Sequence, residues 1–192
     1  GGSLYDLAAE ENLTSEILGQ MEQIRTLLRE NPEYESGLIM SPSAELTLKQ
    51  ETTWTPEEVK KLADHVFNPE EIGAKPASGS FKAEGMLIVP CSMKTIAGIH
   101  SGYADNLILR AADVTVKEQR TLVLAARETP LSGIHLRNLY ELSMLPGVRI
   151  IPPMMTFYHK PETIDDMTYH IAAKLLEPFG IEAKEYRRWN GL

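Results

Sequence analysis

The sequence lacks the residues that mark several protein classes. Its 192 residues include one cysteine, Cys91, so an intramolecular disulfide and a zinc-type cysteine cluster are excluded. No apolar run approaches the length of a membrane span and no signal peptide is evident, so we expect a cytoplasmic protein with no membrane partner. The histidines form no metal-binding motif, so no metal site is expected. They are His65, His100, His135, His159 and His170.

Basic side chains are also scarce, since 19 Lys and Arg stand against 27 Asp and Glu, a net charge of −8. An acidic chain repels a phosphate backbone, so nucleic acid is not an expected partner. The acidic excess is concentrated at the start, because residues 1–36 hold eight acidic and two basic side chains, a net charge of −6. We therefore separate an atypical acidic segment with the first helix, residues 1–36, from residues 37–192, within one domain overall.

Helix-like and strand-like segments alternate along the chain, which predicts a single α/β domain. The expected architecture is a flavodoxin-like or Rossmann-like open parallel sheet with helices on both faces. The length is ample for one sizeable core. Strands are predicted at residues 37–40, 86–89, 121–126 and 147–153, and helices at 15–30, 42–50, 107–116, 130–143 and 163–179.

The first strand of such a sheet is doubtful in this sequence. Residues 5–11 contain two alanines and three carboxylates and no β-branched residue, a poor composition for a central strand. This composition favours a helix or a frayed end.

Hydroxyl and charged residues follow two of the predicted strands. Ser92 to Thr95 come after the strand at 86–89, where the free N–H groups and positive dipole end of a helix favour a phosphate or an electron-rich ring. A plain helix cap by Ser92 or Thr95 would explain the same residues. Arg127 and Glu128 follow the strand at 121–126, where charges are costly unless they lie in a ligand crevice or in a surface ion pair. Together these residues predict a phosphate and cofactor site.

Two loops have informative compositions, and the second is expected beside this site. Residues 77–81, ASGSF, belong to a surface loop rich in small residues, and Gly79 either permits close approach to a ring or is simply flexible. Residues 154–158, MMTFY, are apolar, so this loop either covers a ligand or lies in a subunit interface.

Six segments in fixed order carry a family resemblance. They read PCSMKT, RAADVTVKE, ARETPL, IHLRNL, IIPPMMTFYHKP and RRWNGL. In this order they closely resemble the UbiX-type flavin prenyltransferases, including those encoded beside hydroxyaryl-acid decarboxylases. The resemblance covers residues 37–192 and implies a flavoprotein domain there.

The resemblance implies a metal-independent prenyl transfer. A dimethylallyl phosphate would donate its five-carbon chain to N5 and C6 of reduced FMN and close a fourth ring. The prenylated FMN would then serve a separate UbiD-type decarboxylase. Family members assemble as large homo-oligomers, commonly dodecamers, with active sites shared between subunits.

The resemblance also implies roles for particular residues, which are grouped here by role. The positions matching FMN-binding residues are Ser41, Ser92, Met93, Lys94, Thr95 and Arg127. The positions matching donor-phosphate residues are Arg110, Lys117, Tyr158 and Lys174, the last of which is Arg in many relatives. The expected catalytic residues are Glu51 beside the prenyl site, Glu128 as a proton carrier, and Ser92. Preorganised cations would stabilise the charge that develops on a departing phosphate.

The sequence departs from the family at its start. Relatives there carry a GASGA loop whose backbone approaches the flavin phosphate, but here Asn12, Leu13, Thr14 and Ser15 fall on that loop and no glycine remains. Nearby carboxylates would repel the phosphate. Two functions therefore stay open: a flavin prenyltransferase, and a non-catalytic, flavin-free or weakly binding accessory subunit. A third, another flavin chemistry such as cysteine decarboxylation, lacks a matching histidine motif.

Overall fold

The computed structural model describes residues 3–9 and 15–188, and within them strands and helices alternate. The strands are β1 (Ser3–Ala9), β2 (Tyr34–Met40), β3 (His65–Phe67), β4 (Gly85–Cys91), β5 (Thr121–Ala126) and β6 (Val148–Ile150). The α-helices are α1 (Ser15–Glu30), α2 (Pro42–Glu51), α3 (Pro56–Lys60), α4 (Met93–Ser101), α5 (Leu107–Lys117), α6 (Gly133–Ser143) and α7 (Ile164–Leu176). Short 3₁₀ turns occupy Lys75–Ala77 and Glu177–Phe179.

The six strands form one sheet in the order β3-β2-β1-β4-β5-β6, and every pairing is parallel. The chain order reverses between β1 and β4, the switch point beside which open α/β sheets bind ligands at their carboxyl edge. The predicted open parallel α/β fold is confirmed.

The doubt about the first strand was wrong, because β1 lies at the centre of the sheet. It pairs with β2 from Ser3 opposite Tyr34 to Ala9 opposite Met40, and with β4 from Tyr5 opposite Gly85 onward. Two neighbouring strands offer backbone partners on both sides, and this tertiary context outweighs the weak β-propensity of alanine and acidic residues. The suspected replacement of the glycine loop falls largely on residues 10–14, which lie outside the described residues.

A buried core covers each face of the sheet, because successive side chains of a strand point to opposite faces. On one face, Leu87 and Val123 belong to the core that includes residues of α1 and α7. On the other face, Ile88 and Leu124 pack with residues of α4, α5 and α6. A parallel sheet covered on both faces buries both sets of side chains, which explains the continuous apolar runs in the sequence.

Most of the predicted elements are confirmed with shifted boundaries. β4 continues through Pro90 to Cys91, with a register shift against β5. The predicted helix at 130–143 begins only at Gly133, after its cap Ser132, and the last strand is three residues long. The three-residue edge strand β3 was not predicted, because it is too short to show a period.

A substitution at Gly85 tests the close packing of the sheet. Gly85→Ala should lower the free energy of unfolding by about 1–3 kcal/mol, the usual effect of overpacking. The added Cβ would lie 2.1 Å from the carbonyl oxygen of Thr121 and 2.7 Å from the ring of Phe179. Gly133→Ala is the control, since nothing lies within 4 Å of its Cβ. Urea unfolding should separate the two variants, and equal midpoints would contradict the packing argument.

Candidate active site

Two helices begin at the carboxyl edge of the sheet, each capped by a serine. Ser41 follows β2 and caps α2, and Ser92 follows β4 and caps α4. Their hydroxyl oxygens accept hydrogen bonds from the backbone N–H groups of Ala44, at 3.1 Å, and Thr95, at 3.3 Å. Ser92 is therefore a helix cap, which is the alternative to a ligand site that the sequence left open. The same geometry places the positive ends of two helices at this edge.

A cavity of about 220 Å³ is lined by both helix starts. It brings together Ser41, Ser92 and Lys94, three of the residues predicted to bind the cofactor. Lys94 is exposed, so its ammonium adds a mobile positive charge to two helix N-termini. The arrangement suits an anion such as a phosphate group. The other lining residues are Pro42, Ser43, Pro69, Glu70, Asn106 and Ile108.

The side chains of Met93 and Thr95 do not line this cavity. Met93 is 8% exposed and Thr95 is 1% exposed. Their predicted contact with a cofactor therefore has to come from the backbone of the first helical turn. The Thr95 N–H already donates to Ser92, so the side chains of these two residues chiefly hold the helix start in place.

Arg127 and Glu128 leave β5 at the same edge of the sheet. The backbone N–H of Arg127 donates to the carbonyl oxygen of Cys91 at 3.1 Å, which ties this segment to the end of β4. Glu128 is exposed, and its Oε1 accepts from the backbone N–H of Thr129 at 2.9 Å. Glu51 ends α2, and its side chain lies outside the description.

Sequence reasoning missed Asn106, which lines the same cavity. Its side chain caps α5, because Oδ1 accepts from the backbone N–H of Leu109 at 3.0 Å. An asparagine directly before an apolar helical run is a recognised start signal, so the cap rule would have found this residue.

The four residues predicted to bind the donor phosphate fall into two pairs. Arg110 and Lys117 lie on α5, on one face of the sheet, whereas Lys174 lies on α7, on the other. The pKa of Lys174 is raised chiefly by its hydrogen bond to Glu177. Tyr158 belongs with Lys174 because its hydroxyl lies 2.8 Å from Nε2 of His170, one turn before Lys174 on α7. The sheet separates these two pairs, so one subunit does not bring all four residues together.

Arg110 lies near the start of α5, close in sequence to Ile108 of the cavity lining, whereas Lys117 lies two turns further along the helix, toward the opposite edge. Lys117 ends α5 shortly before β5 begins, which places it near the amino edge. Nζ of Lys117 donates to Glu118 at 2.6 Å, and Nη1 of Arg110 donates to Asp113 at 2.7 Å. Each cation is therefore paired with a carboxylate that lies one to three residues after it in the sequence.

Gly79 packs directly against the ion pair between Lys117 and Glu118. A Cβ on Gly79 would lie 2.3 Å from Oε1 of Glu118 and 3.2 Å from Nζ of Lys117. Arg120 fastens the loop, because its guanidinium donates to the carbonyl oxygens of Gly79, at 2.7 Å, and Phe81, at 2.8 Å. Within one chain, the close approach expected at Gly79 is thus to Lys117 and Glu118.

The second pair belongs to a cluster along α7. Glu177 accepts from Nζ of Lys174 at 2.7 Å and also from Arg188, whose guanidinium lies 5.2 Å from the ring centre of Tyr186. The hydroxyl of Tyr158 lies 2.8 Å from Nε2 of His170.

His170 is a buried, uncharged partner in this cluster. Burial lowers its pKa, and His159 and Lys174 act in the same direction, so the imidazole is neutral in neutral solution. Sequence reasoning did not single out His170, because a lone histidine in an apolar helix pattern carries no motif.

The described part of the chain holds neither a membrane-spanning helix nor a metal-binding cluster. Within residues 3–9 and 15–188, no helix is both long enough and apolar enough to cross a bilayer. The same stretches contain no group of three His, Cys, Asp or Glu side chains arranged to hold a metal ion.

Known proteins share both the sequence and this geometry. The Flavoprotein family model matches residues 14–176. A probable UbiX-like flavin prenyltransferase of Escherichia coli O157:H7 is 51% identical over 165 residues, which cover 86% of this chain and 83% of that protein. The chain belongs to the UbiX-like flavin prenyltransferase family.

Two solved members of the UbiX-like family superpose on the whole fold. The dodecameric FMN-dependent UbiX-like decarboxylase of Escherichia coli O157:H7 gives a TM-score of 0.91 at 44% identity, covering 98% of this chain and 100% of that one. AnUbiX (PadA1), in complex with FMN and dimethylallyl pyrophosphate, gives 0.89 at 44% identity, with 99% of each chain covered. The family resemblance drawn from the six sequence segments is confirmed.

A methyl group at Gly79 should displace the Lys117–Glu118 pair with little effect on stability. We expect Gly79→Ala to change the free energy of unfolding by less than about 1 kcal/mol, because the clashing atoms end flexible side chains. A crystal structure of the variant should show both side chains moved. Gly73→Ala is the matched control, since nothing lies within 4 Å of its Cβ. Unchanged side chains in Gly79→Ala would contradict the close approach.

Proposed function

We propose that this protein is a flavin prenyltransferase that transfers a dimethylallyl group from dimethylallyl phosphate to reduced FMN without a metal ion. The observation that carries the proposal is the cavity at the carboxyl edge, where Ser41, Ser92 and Lys94 meet two helix N-termini in a chain 51% identical to a probable flavin prenyltransferase. The complex of AnUbiX with FMN and dimethylallyl pyrophosphate, on the same fold, supports this choice. We further propose that a UbiD-type decarboxylase receives the product.

The cavity fits the phosphate end of FMN. Two helix N-termini and the ammonium of Lys94 favour an anion there, although the sequence at residues 12–15 contains no glycine. When bound, FMN supplies the reduced ring that accepts the prenyl group. Arg127 lies beside the same edge and adds a guanidinium, and Glu128 is a carboxylate at this edge that can take up a proton.

The cations of α5 and α7 would bind the donor phosphate. Negative charge develops on the phosphate oxygens as the allylic C–O bond breaks, and fixed cations stabilise that state more than the ground state. Lys174 keeps the positive charge that many relatives place on an arginine, but its ammonium is a point charge and cannot bind a phosphate in the bidentate way of a guanidinium. Lys174 therefore suits one phosphate oxygen.

Assembly would complete the site. The pairs Arg110–Lys117 and Tyr158–Lys174 lie on opposite faces of one subunit, and Lys117 lies near the edge opposite the cofactor cavity. A second copy can bring one of these surfaces to the cavity of the first. The dodecameric state of the UbiX-like decarboxylase of Escherichia coli supports a homo-oligomer here, and we propose a dodecamer.

Binding and turnover of FMN test the proposal directly. The purified protein should quench FMN fluorescence, and under anaerobic conditions with dimethylallyl phosphate it should form prenylated FMN, detected by mass spectrometry. Arg127→Ala should weaken FMN binding by at least about tenfold, since charge-assisted contacts to phosphate are strong. Arg29→Ala, an exposed arginine at the end of α1, is the matched control.

The outcomes separate the two functions left open by the sequence. Prenylated FMN from the wild type, with weaker binding by Arg127→Ala alone, supports the enzyme. Absence of FMN binding would overturn it and favour the flavin-free accessory subunit. Binding without turnover would also contradict the prenyltransferase.

Mixed assemblies test whether the site is shared. Arg110→Ala/Lys117→Ala and Tyr158→Phe/Lys174→Ala should each be inactive alone. Co-expressed in equal amounts, they should regain about a quarter of wild-type activity, because random mixing gives that share of sites two intact halves. The assay measures prenylated FMN from assemblies purified through two different affinity tags. Lack of recovery in mixed assemblies would contradict a donor site that two subunits share.

A further inference from the structure

Two consecutive loop residues contact one buried imidazole. Tyr158 reaches Nε2 of His170 with its hydroxyl at 2.8 Å, and the ring of His159 stacks on His170 with a centroid distance of 4.2 Å and an interplanar angle of 4°. The ring of Tyr186 packs against the same imidazole, with 4.8 Å between the two ring centroids. His170 is 7% exposed, so its ring is fixed on α7. The loop carrying Tyr158 is thereby anchored to a rigid helix.

This anchor lies beside the candidate donor site. His170 and Lys174 are four residues apart on α7, so they lie on adjacent turns of one helix face. Tyr158 is 50% exposed and contributes to raising the pKa of Lys174, after the larger effect of Glu177. Because Tyr158 contacts His170, one turn from Lys174, the phenol and the ammonium lie on the same side of α7.

The tautomer of His170 decides what Tyr158 can offer to an anion. If Nε2 accepted the phenol hydrogen, the phenol oxygen would present only lone pairs to a phosphate. If Nε2 carries the hydrogen and donates, the phenol oxygen accepts and its own hydrogen can donate to the phosphate. An anion beside Tyr158 and Lys174 thus favours the Nε2–H tautomer.

We propose that His170 is a positioning residue for the prenyl donor, whose Nε2–H holds the Tyr158 phenol so that its hydroxyl donates to the donor phosphate. The inference rests on the proposed function, because it needs a phosphate at Tyr158. His159 contributes through its ring face, since both of its ring nitrogens are buried without a hydrogen-bond partner in the described part of the chain. His170 itself does not touch the reacting atoms.

A double-mutant cycle tests the proposal. His170→Phe keeps a ring between His159 and Tyr186 but removes Nε2, and Tyr158→Phe removes the hydroxyl. His170→Phe should raise KM for dimethylallyl phosphate about tenfold, the size expected for one hydrogen bond to a charged group, with a smaller change in kcat. Its FMN affinity should equal that of the wild type. In the Tyr158→Phe background the same substitution should have no further effect on KM.

Two further variants complete the test. His170→Gln, whose amide can still donate, should recover part of the lost donor affinity, and it carries the test if thermal unfolding shows that His170→Phe does not fold. His65→Phe is the matched control, because His65 is an exposed histidine on the edge strand β3 paired with Glu35.

The readouts distinguish failure of the inference from failure of the proposed function. Equal increases in KM with and without the Tyr158 hydroxyl, or a parallel loss of FMN affinity in His170→Phe, would overturn the positioning role alone. No prenylated FMN from the wild type would overturn both. A KM effect that vanishes in the Tyr158→Phe background and is partly restored by His170→Gln supports the proposal.

Discussion

Parallel strand pairing is the constraint on which the rest of this structure depends. In a parallel sheet every strand passes its chain to a helix at the same edge, so helix N-termini gather at the carboxyl edge and helix ends at the other. Ser41, Ser92 and Arg127 therefore meet at one edge although they are far apart in sequence. Lys117, at the end of a helix, is placed near the other edge for the same reason. The topology thus sets both the candidate cofactor cavity and its distance from Lys117.

The cations that are proposed to bind the donor phosphate have electrostatic surroundings that suit a site filled by an anion. Each cation is paired with a carboxylate close in sequence: Arg110 with Asp113, Lys117 with Glu118, and Lys174 with Glu177. Exposed pairs of this kind contribute about 0–1 kcal/mol each, so they orient a side chain without holding it strongly. A phosphate carrying two charges can compete with a single carboxylate for such a cation. These pairs are therefore compatible with ligand binding and keep the cations in place before the ligand arrives.

The sequence predicted features that depend on local chemistry. The helix predicted at 42–50 and the strand predicted at 121–126 lie where their sequence patterns placed them. Prediction from sequence failed where contacts with distant segments determine the structure. β1 is a strand because β2 and β4 pair with it, which its own composition could not reveal. The separation of Arg110 from Lys174 by the sheet, and the contact between Tyr158 and His170, likewise depend on tertiary packing.

Lys174 shares its carboxylate partner, Glu177, with an arginine. A lysine cannot form the bidentate hydrogen bonds that a guanidinium makes to two phosphate oxygens. However, the carboxylate of Glu177 that pairs with Lys174 also pairs with Arg188. A guanidinium is therefore present at the same carboxylate, supplied by the C-terminal segment instead of by α7. The guanidinium of Arg188 and the ammonium of Lys174 share the carboxylate of Glu177. The three groups together therefore carry a net charge of +1, the charge of a single arginine. Arg188 thus offers, at this carboxylate, the planar guanidinium that Lys174 lacks.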